Sequence, residues 1–248
     1  MSVSIIMPMF NSGQFIEGTI NSVRDQTYDN WELLIVDDCS KDDSVEVASR
    51  LASDDHRIKV ISLNSNGGAA VARNEGIKAS SGRFIAFLDS DDRWDSEKLA
   101  KQVKFMKERE LAFSHTGFRR VDSTTGKKLS EYVPPARLTY KDMLYSNQVG
   151  CLTAMFDTQQ VGRIEMPSIR KRQDYAMWLK ILRKVGSVYA LEEVLASYTV
   201  RTNSISSNKI SLLKYNYSVF RDCEKLSWPA SLYYLLANTF MRIKRGRS

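Results

Sequence analysis

Four short apolar runs, residues 3–7, 31–36, 58–63 and 84–88, limit how this chain can fold more than any other feature. They are rich in β-branched and aromatic residues and almost uninterrupted, which marks strands buried on both faces of a sheet. The segments between them switch to helical spacing: Ile16, Ile20 and Val23, then Val45, Ala48 and Leu51, then residues 69–79. Strand–helix alternation repeated three times predicts an α/β fold with a mostly parallel sheet, right-handed crossovers and helices on its faces.

Beyond residue 94 the pattern loosens. Leu99, Val103 and Met106 fall at i, i+4 and i+7 of a helix for which Asp95 is the expected N-cap. Residues 112–121 read as a strand ending in the turn 122–126, Pro134-Pro135 as a loop, and residues 150–156 as another strand. A helix is expected over 174–185, with Tyr175, Trp178, Leu179 and Leu182 as its apolar stripe and Gly186 as its stop. With no internal repeat or linker, the simplest organisation is one α/β domain over residues 1–203 and a helical extension over 204–248.

Composition, at 43% hydrophobic and 26% charged over 248 residues, excludes a disordered or collagen-like chain. The longest weakly polar stretch, 228–241, is interrupted by Pro229, Ser231, Asn238 and Thr239 and falls short of the ~20 apolar residues a membrane span needs. The N-terminus enters a strand-like run without the basic and apolar regions of a secretory signal, so a cytoplasmic protein is expected. Cys39, Cys151 and Cys223 are odd in number and widely spaced, which argues for incidental thiols and against a disulfide framework or zinc site.

The net charge of +7 is unevenly spread: residues 1–100 carry −7, residues 101–200 carry +7 and residues 201–248 carry +7. A polyanion-binding fold would show a basic face where its fold lies, so nucleic acid is not an expected partner. The last eight residues hold four cations and no acid beside an apolar stretch containing Leu232, Leu235, Leu236 and Phe240. That pairing suits either an anionic membrane surface or a terminal helix docked on the domain.

Ligands of parallel α/β sheets collect at the carboxyl ends of the strands. Here those ends are polar: Pro8 to Gly13 after the first run, Asp37-Asp38-Cys39-Ser40 after the second, Asn64 to Gly68 after the third and Asp89-Ser90-Asp91-Asp92 after the fourth. Carboxylates spaced Asp-x-Asp can share one hard cation whose other positions go to phosphate and water, although acidic loops that merely cap helices are common. Residues 11–18 lack the G-x-G-x-x-G of a dinucleotide fold, and no Walker phosphate loop is present.

The order of motifs resembles the family 2 glycosyltransferases of GT-A fold: Val3 to Asn11, Gln26-Thr27-Tyr28, Trp31 to Ser40, Gly67 to Gly76, and Phe87-Leu88-Asp89-Ser90-Asp91-Asp92-Arg93-Trp94. The likeness runs on more weakly through Arg172-Gln173-Asp174 to Leu179, and the last 48 residues carry none of it. It implies that Pro8, Asn11, Asp37, Asp38, Arg73, Asp89 and Ser90 line a nucleotide-sugar pocket, with Asp38 accepting from uracil and Arg73 touching the nucleotide. It also implies that Asp91, with Asp89, holds Mn²⁺ or Mg²⁺ against the diphosphate. Asp92 either joins that set or caps the following turn. The family usually shows Glu-Asp where this chain has Gln173-Asp174; the second carboxylate is the one assigned as base, so Asp174 is the expected catalytic residue.

The resemblance therefore implies an inverting, metal-dependent transferase. Its expected donor is a UDP-hexose, glucose or galactose, and its expected acceptor a polyprenyl-diphosphate-linked GlcNAc, joined in β-1,3 linkage. Such an enzyme would build an O-antigen or other surface polysaccharide, including lipopolysaccharide, as a peripheral protein on the inner membrane face. The competing reading is a non-catalytic nucleotide-sugar-binding protein, against which the retained Asp174 argues. His115 is expected to be packed or surface-exposed rather than ligating. Arg170-Lys171-Arg172 faces either an acceptor diphosphate or solvent.

Overall fold

The computed structural model describes residues 2–201 and 209–245. Its first half alternates as the apolar runs require: β1 (Val3–Met9), α1 (Gly13–Arg24), β2 (Trp31–Asp37), α2 (Ser44–Ser53), β3 (Ile58–Ser62), α3 (Ala69–Ala79) and β4 (Phe84–Phe87). Every residue of β1, β2 and β4 is buried, which explains their uninterrupted apolar character. The strands pair in parallel, Val3 opposite Trp31 and Phe84, in the order β3-β2-β1-β4.

The second half is β5 (Arg93–Trp94), α4 (Lys98–Glu108), β6 (Phe113–Asp122), β7 (Lys128–Tyr132), β8 (Arg137–Thr139), α5 (Tyr140–Tyr145), a 3₁₀ turn (Cys151–Thr153), β9 (Met155–Asp157), α6 (Thr158–Val161), α7 (Gln173–Val185) and β10 (Ser187–Val200). Strand β9 joins β4 and β6 antiparallel to both, β10 runs parallel to β6, and β5 closes the far edge. The chain then forms α8 (Lys209–Ser218), a π-helical turn (Val219–Cys223) and α9 (Trp228–Arg245).

Two local expectations change, and one strand was not foreseen. Asp95 does not cap α4, which starts at Lys98 after Glu97; instead its carboxylate pairs with Arg119, Nη1 to Oδ2 at 3.0 Å. Tertiary pairing with a neighbouring strand outcompetes the local cap. Residues 150–156 are not one strand, because the Thr153 N–H and hydroxyl both return to the Gly150 carbonyl, at 3.0 and 2.7 Å, and wind a 3₁₀ turn before the strand begins at Met155. Strand β10 gave no expectation, since its register shifts between Leu191 and Val194 and between Val194 and Ser197 break its alternation.

Successive residues of β1 feed two cores. Ile5 and Met7 pack with α1, α2 and α4, while Ile6 joins Leu34, Phe87 and the apolar stripe of α7 on the other face. Trp178 of α7 is fully buried, its ring centroid 5.8 Å from that of Phe87 and 5.2 Å from that of Phe113. This seat fixes α7 across the sheet and with it the position of Asp174 in the first turn. Tyr175 donates to the Met143 carbonyl at 2.7 Å and stacks edge-on to Phe220 of the π turn, linking α7 to α5 and to the C-terminal helices. Helix α9 packs on α5 through Tyr145, Tyr233 and Tyr234, yet leaves Trp228, Leu232, Leu236 and Phe240 exposed along one line at i, i+4, i+8 and i+12. The expected division at residues 203 and 204 lies outside the described residues, as does the tail after Arg245.

Candidate active site

Strand order reverses at β1: β2 and β3 lie on one side and β4 on the other. Such a reversal opens a crevice at the carboxyl ends of the two central strands. The ladder closes where the Leu88 N–H donates to the Ile6 carbonyl at 3.1 Å, and Pro8, the next residue of β1 on that side, has no N–H to continue it. Pro8 thus stands at the mouth of the crevice, followed by exposed Phe10 and Asn11.

The loops after β1 and β4 are tied together. The Ser12 and Ser90 hydroxyls lie 2.7 Å apart, and Thr19 donates to the Ser90 carbonyl at 3.0 Å. Asn11 adopts φ 47°, accepts the Lys41 N–H on Oδ1 at 2.8 Å and donates its own N–H to Ser40 at 3.0 Å. Asp37 accepts the Ser40 N–H, 3.2 Å from either oxygen. Asp38 is buried, and its two oxygens accept from Gly67 and Gly68 at 2.7 and 2.8 Å. Gly68 holds φ 85°, a left-handed value that suits glycine, and from there α3 begins.

Helix α3 lies close on β1, because a Cβ on Gly76 would come within 2.5 Å of Ile6 Cγ2. Arg73, one turn earlier, is 6% exposed and ion-paired with Asp89. Burial opposes its charge, but Asp89, then Cys151 and Asp174, more than offset this and raise its pKa. Its Nε is buried without a hydrogen-bond partner among the described residues. Asp89, Cys151 and Asp174, carried by three separate segments, all act electrostatically on this guanidinium, and Asp89 pairs with it directly. Burial, opposed in part by the Arg73 charge, pushes the Cys151 thiol well up, so it is neutral at physiological pH.

Across the crevice, Arg201 binds Asp91, with Nε 2.6 Å from Oδ2, and lies over the Phe15 ring at 4.6 Å. Thr199 donates its hydroxyl to the Asp91 carbonyl and its N–H to Asp92 Oδ1, the latter at 2.8 Å. Asp92 is 1% exposed with Oδ2 unpartnered among the described residues. Burial and then the charges of Asp91 and Asp89 push its carboxyl well above the usual range; burial and then Asp89 raise Asp91 as well. Asp92 therefore anchors β10, besides closing its own turn through its N–H to the Asp89 carbonyl at 3.0 Å. His115 lies buried in β6, its imidazole pushed down to about 3 by burial and so uncharged.

Among the described residues no three or more His, Cys, Asp and Glu side chains converge as a complete metal cage. Asp89 and Asp91 nonetheless fit a hard divalent cation by the chemistry of the set: they are carboxylate oxygen donors two residues apart on one loop. Two protein carboxylates suit Mg²⁺ or Mn²⁺ when phosphate oxygens and water complete the shell.

The structure thus brings Pro8, Asn11, Arg73, Asp89, Ser90 and Asp91 to one crevice, adds Asp174 through Arg73, and sets Asp37 and Asp38 behind the glycine turn. Sequence reasoning missed Ser12, Cys151, Thr199 and Arg201. Thr199 arrives on β10 and Arg201 just after it, and their neighbours in the chain carry no motif that foretells a contact with residues 91 and 92.

Comparison with known proteins agrees with this geometry. The family model described as glycosyl transferase family 2 matches residues 4–158. The chain is 46% identical over 90% of its length to the teichuronic acid biosynthesis glycosyltransferase named TuaG of Bacillus subtilis, covering 89% of that protein. It is 37% identical over 98% of its length to WfgD of Escherichia coli, named a UDP-Glc:α-D-GlcNAc-diphosphoundecaprenol β-1,3-glucosyltransferase, covering 94% of it. In fold it is similar to residues 1–349 of Staphylococcus aureus TarS, solved with UDP-GlcNAc, at a TM-score of 0.77 and 23% identity, covering 95% of this chain and 70% of that one. The crevice at the β1/β4 switch point, the family match and the shared architecture together place the chain in glycosyl transferase family 2, as a glycosyltransferase of GT-A fold.

Proposed function

We propose that this enzyme transfers a hexose from a UDP-sugar, with inversion, to a lipid-diphosphate-linked sugar in the synthesis of an O-antigen or related surface polysaccharide. The observation that carries the reading is Arg73, one buried guanidinium paired with Asp89 of the acidic loop and acted on by Asp174 of α7. It links the donor side of the crevice to a half-buried carboxylate suited to act as base. WfgD, whose name gives a UDP-glucose donor, a GlcNAc-diphospholipid acceptor and a β-1,3 linkage, supports glucose over galactose as the sugar, and GlcNAc as the acceptor.

In this reading Pro8, Asn11 and the turn built on Asp37 and Asp38 receive the nucleotide, and Arg73 holds Asp89 beside the ribose and diphosphate. The acceptor hydroxyl oxygen attacks C1 of the sugar and its proton passes to Asp174. The bond from C1 to the diphosphate breaks with its electron pair leaving on UDP, so an α-linked donor gives a β-linked product. A divalent cation held by Asp91 and Asp89 would supply charge stabilisation for the departing diphosphate.

Among the described residues no helix is long and apolar enough to cross a membrane. The exposed Trp228, Leu232, Leu236 and Phe240 line of α9 suits the inner membrane surface, where a lipid-linked acceptor resides. Helix α9 carries no acidic residue and its sequence ends in Arg242, Lys244 and Arg245, which favours an anionic bilayer.

The test is release of UDP, GDP or dTDP from a panel of nucleotide sugars with a synthetic GlcNAc-diphosphate-lipid, in Mn²⁺ or EDTA. Acceptor-stimulated, EDTA-sensitive UDP release from UDP-glucose is the expected outcome. Transfer from a GDP- or dTDP-sugar alone overturns the donor assignment, and equal release in EDTA overturns the metal.

A further inference from the structure

The acidic loop of the crevice carries its own counter-charges. Asp89 is matched by Arg73 and Asp91 by Arg201, while the third carboxyl, Asp92, is spent on the Thr199 N–H. The Arg201 contact is forked, with Nε and Nη2 both on Asp91 Oδ2. The guanidinium is also held over the Phe15 ring, a cation–π contact from the helix that follows the β1 loop. Thr199, at the end of β10, reinforces the placement: its hydroxyl donates to the Asp91 carbonyl and its N–H to the Asp92 carboxyl. Arg201 is 35% exposed, whereas Arg73 is 6% exposed, so the first can turn into water when it leaves its partner while the second would be left buried and unpaired.

We propose that Arg201 is a positioning residue that occupies Asp91 in the donor-free enzyme as a built-in counter-ion, so that a divalent cation reaches Asp91 only together with a nucleoside diphosphate. This rests on the reading of Asp91 as the cation's ligand. A bare divalent ion entering the loop would meet two carboxylates already balanced by two guanidiniums, and would have to displace Arg201 with no net negative charge to receive it. The diphosphate brings that charge, completes the oxygen shell, and gives the displaced guanidinium an anion to face. Metal uptake and donor uptake are thereby coupled, and a bound ion without substrate is disfavoured.

Free Mn²⁺ measured by its paramagnetic resonance signal, with the full chain and with or without UDP, tests this directly and needs no turnover. The wild-type protein should bind Mn²⁺ at least ~10-fold more tightly with UDP than alone. Arg201→Gln should bind Mn²⁺ alone ~10-fold or more tightly than wild type and lose most of the UDP enhancement. Arg201→Lys, which keeps the charge without the fork, should fall between them. Asp91→Asn should abolish the gain seen in Arg201→Gln. Unchanged Mn²⁺ affinity in Arg201→Gln, while wild type still takes up Mn²⁺ with UDP, overturns the counter-ion role and leaves the donor site standing. Absence of UDP-linked Mn²⁺ uptake in wild type overturns both.

Discussion

Lys98 is buried without a carboxylate partner among the described residues, and burial pushes its amine down to about 7. Its Nζ donates to Gln102 Oε1 at 2.7 Å and stands 3.9 Å from the Trp94 ring centroid. Gln102 in turn donates to Ser114 and to the Thr153 carbonyl, each at 3.0 Å, steadying the turn that carries Cys151 beside Arg73. Replacing Lys98 by Met removes the titration but strands Gln102 Oε1, at a cost of ~1–3 kcal/mol, so the change in stability at one pH is ambiguous. Its pH dependence is not. An unfolded lysine titrates near 10.5 and the folded one near 7, so in this window the unfolded chain binds more protons and stability rises with pH. Below pH 7 both states are charged and the full penalty applies; above about 10.5 both are neutral and it vanishes. Between pH 7 and 9 the wild-type protein should therefore gain about 2 kcal/mol relative to Lys98→Met, at 1.36 kcal/mol per unit. Urea unfolding followed by tryptophan fluorescence at pH 7, 8 and 9 measures this double difference, from which the Gln102 term cancels. Parallel stability profiles for the two proteins would refute a buried amine that discharges on folding.

Three further outcomes follow from the site and from α9. Asp174→Asn should retain UDP-sugar affinity by calorimetry and lose ~10²–10⁴-fold in transfer rate, the range for a general base; unchanged turnover removes the assignment. Asp91→Ala should lose both Mn²⁺-dependent UDP-sugar binding and turnover, and the loss should not be restored by raising Mn²⁺. Serine at Trp228, Leu236 and Phe240 together should release the protein from anionic phosphatidylglycerol vesicles in a sedimentation assay, with donor affinity unchanged; equal sedimentation assigns another role to that exposed line.

The strand-to-helix order of the first ninety residues was legible because each buried strand must be apolar throughout and each surface helix must be apolar on one side. The same logic located α7, whose stripe is seated on Phe87 and Phe113. Asp95 shows where local reasoning stopped: an acid before a helix reads as a cap until a strand from elsewhere supplies Arg119. Strand β10 escaped notice for a related cause, its bulges dissolving the alternation that would have revealed it.

By itself the sequence determined the parallel α/β core, the polar ends of its strands and the identity of the carboxylates that gather there, since burial and spacing are local constraints on residue type. Only the tertiary structure decided which charges meet. It tied Asp38 to the glycine turn, gave Asp89 to Arg73, and brought Arg201 from just after β10 onto Asp91. Such pairings join residues as much as 110 positions apart, and no local propensity records them, because a charge's partner is set by how the sheet closes rather than by its neighbours in the chain.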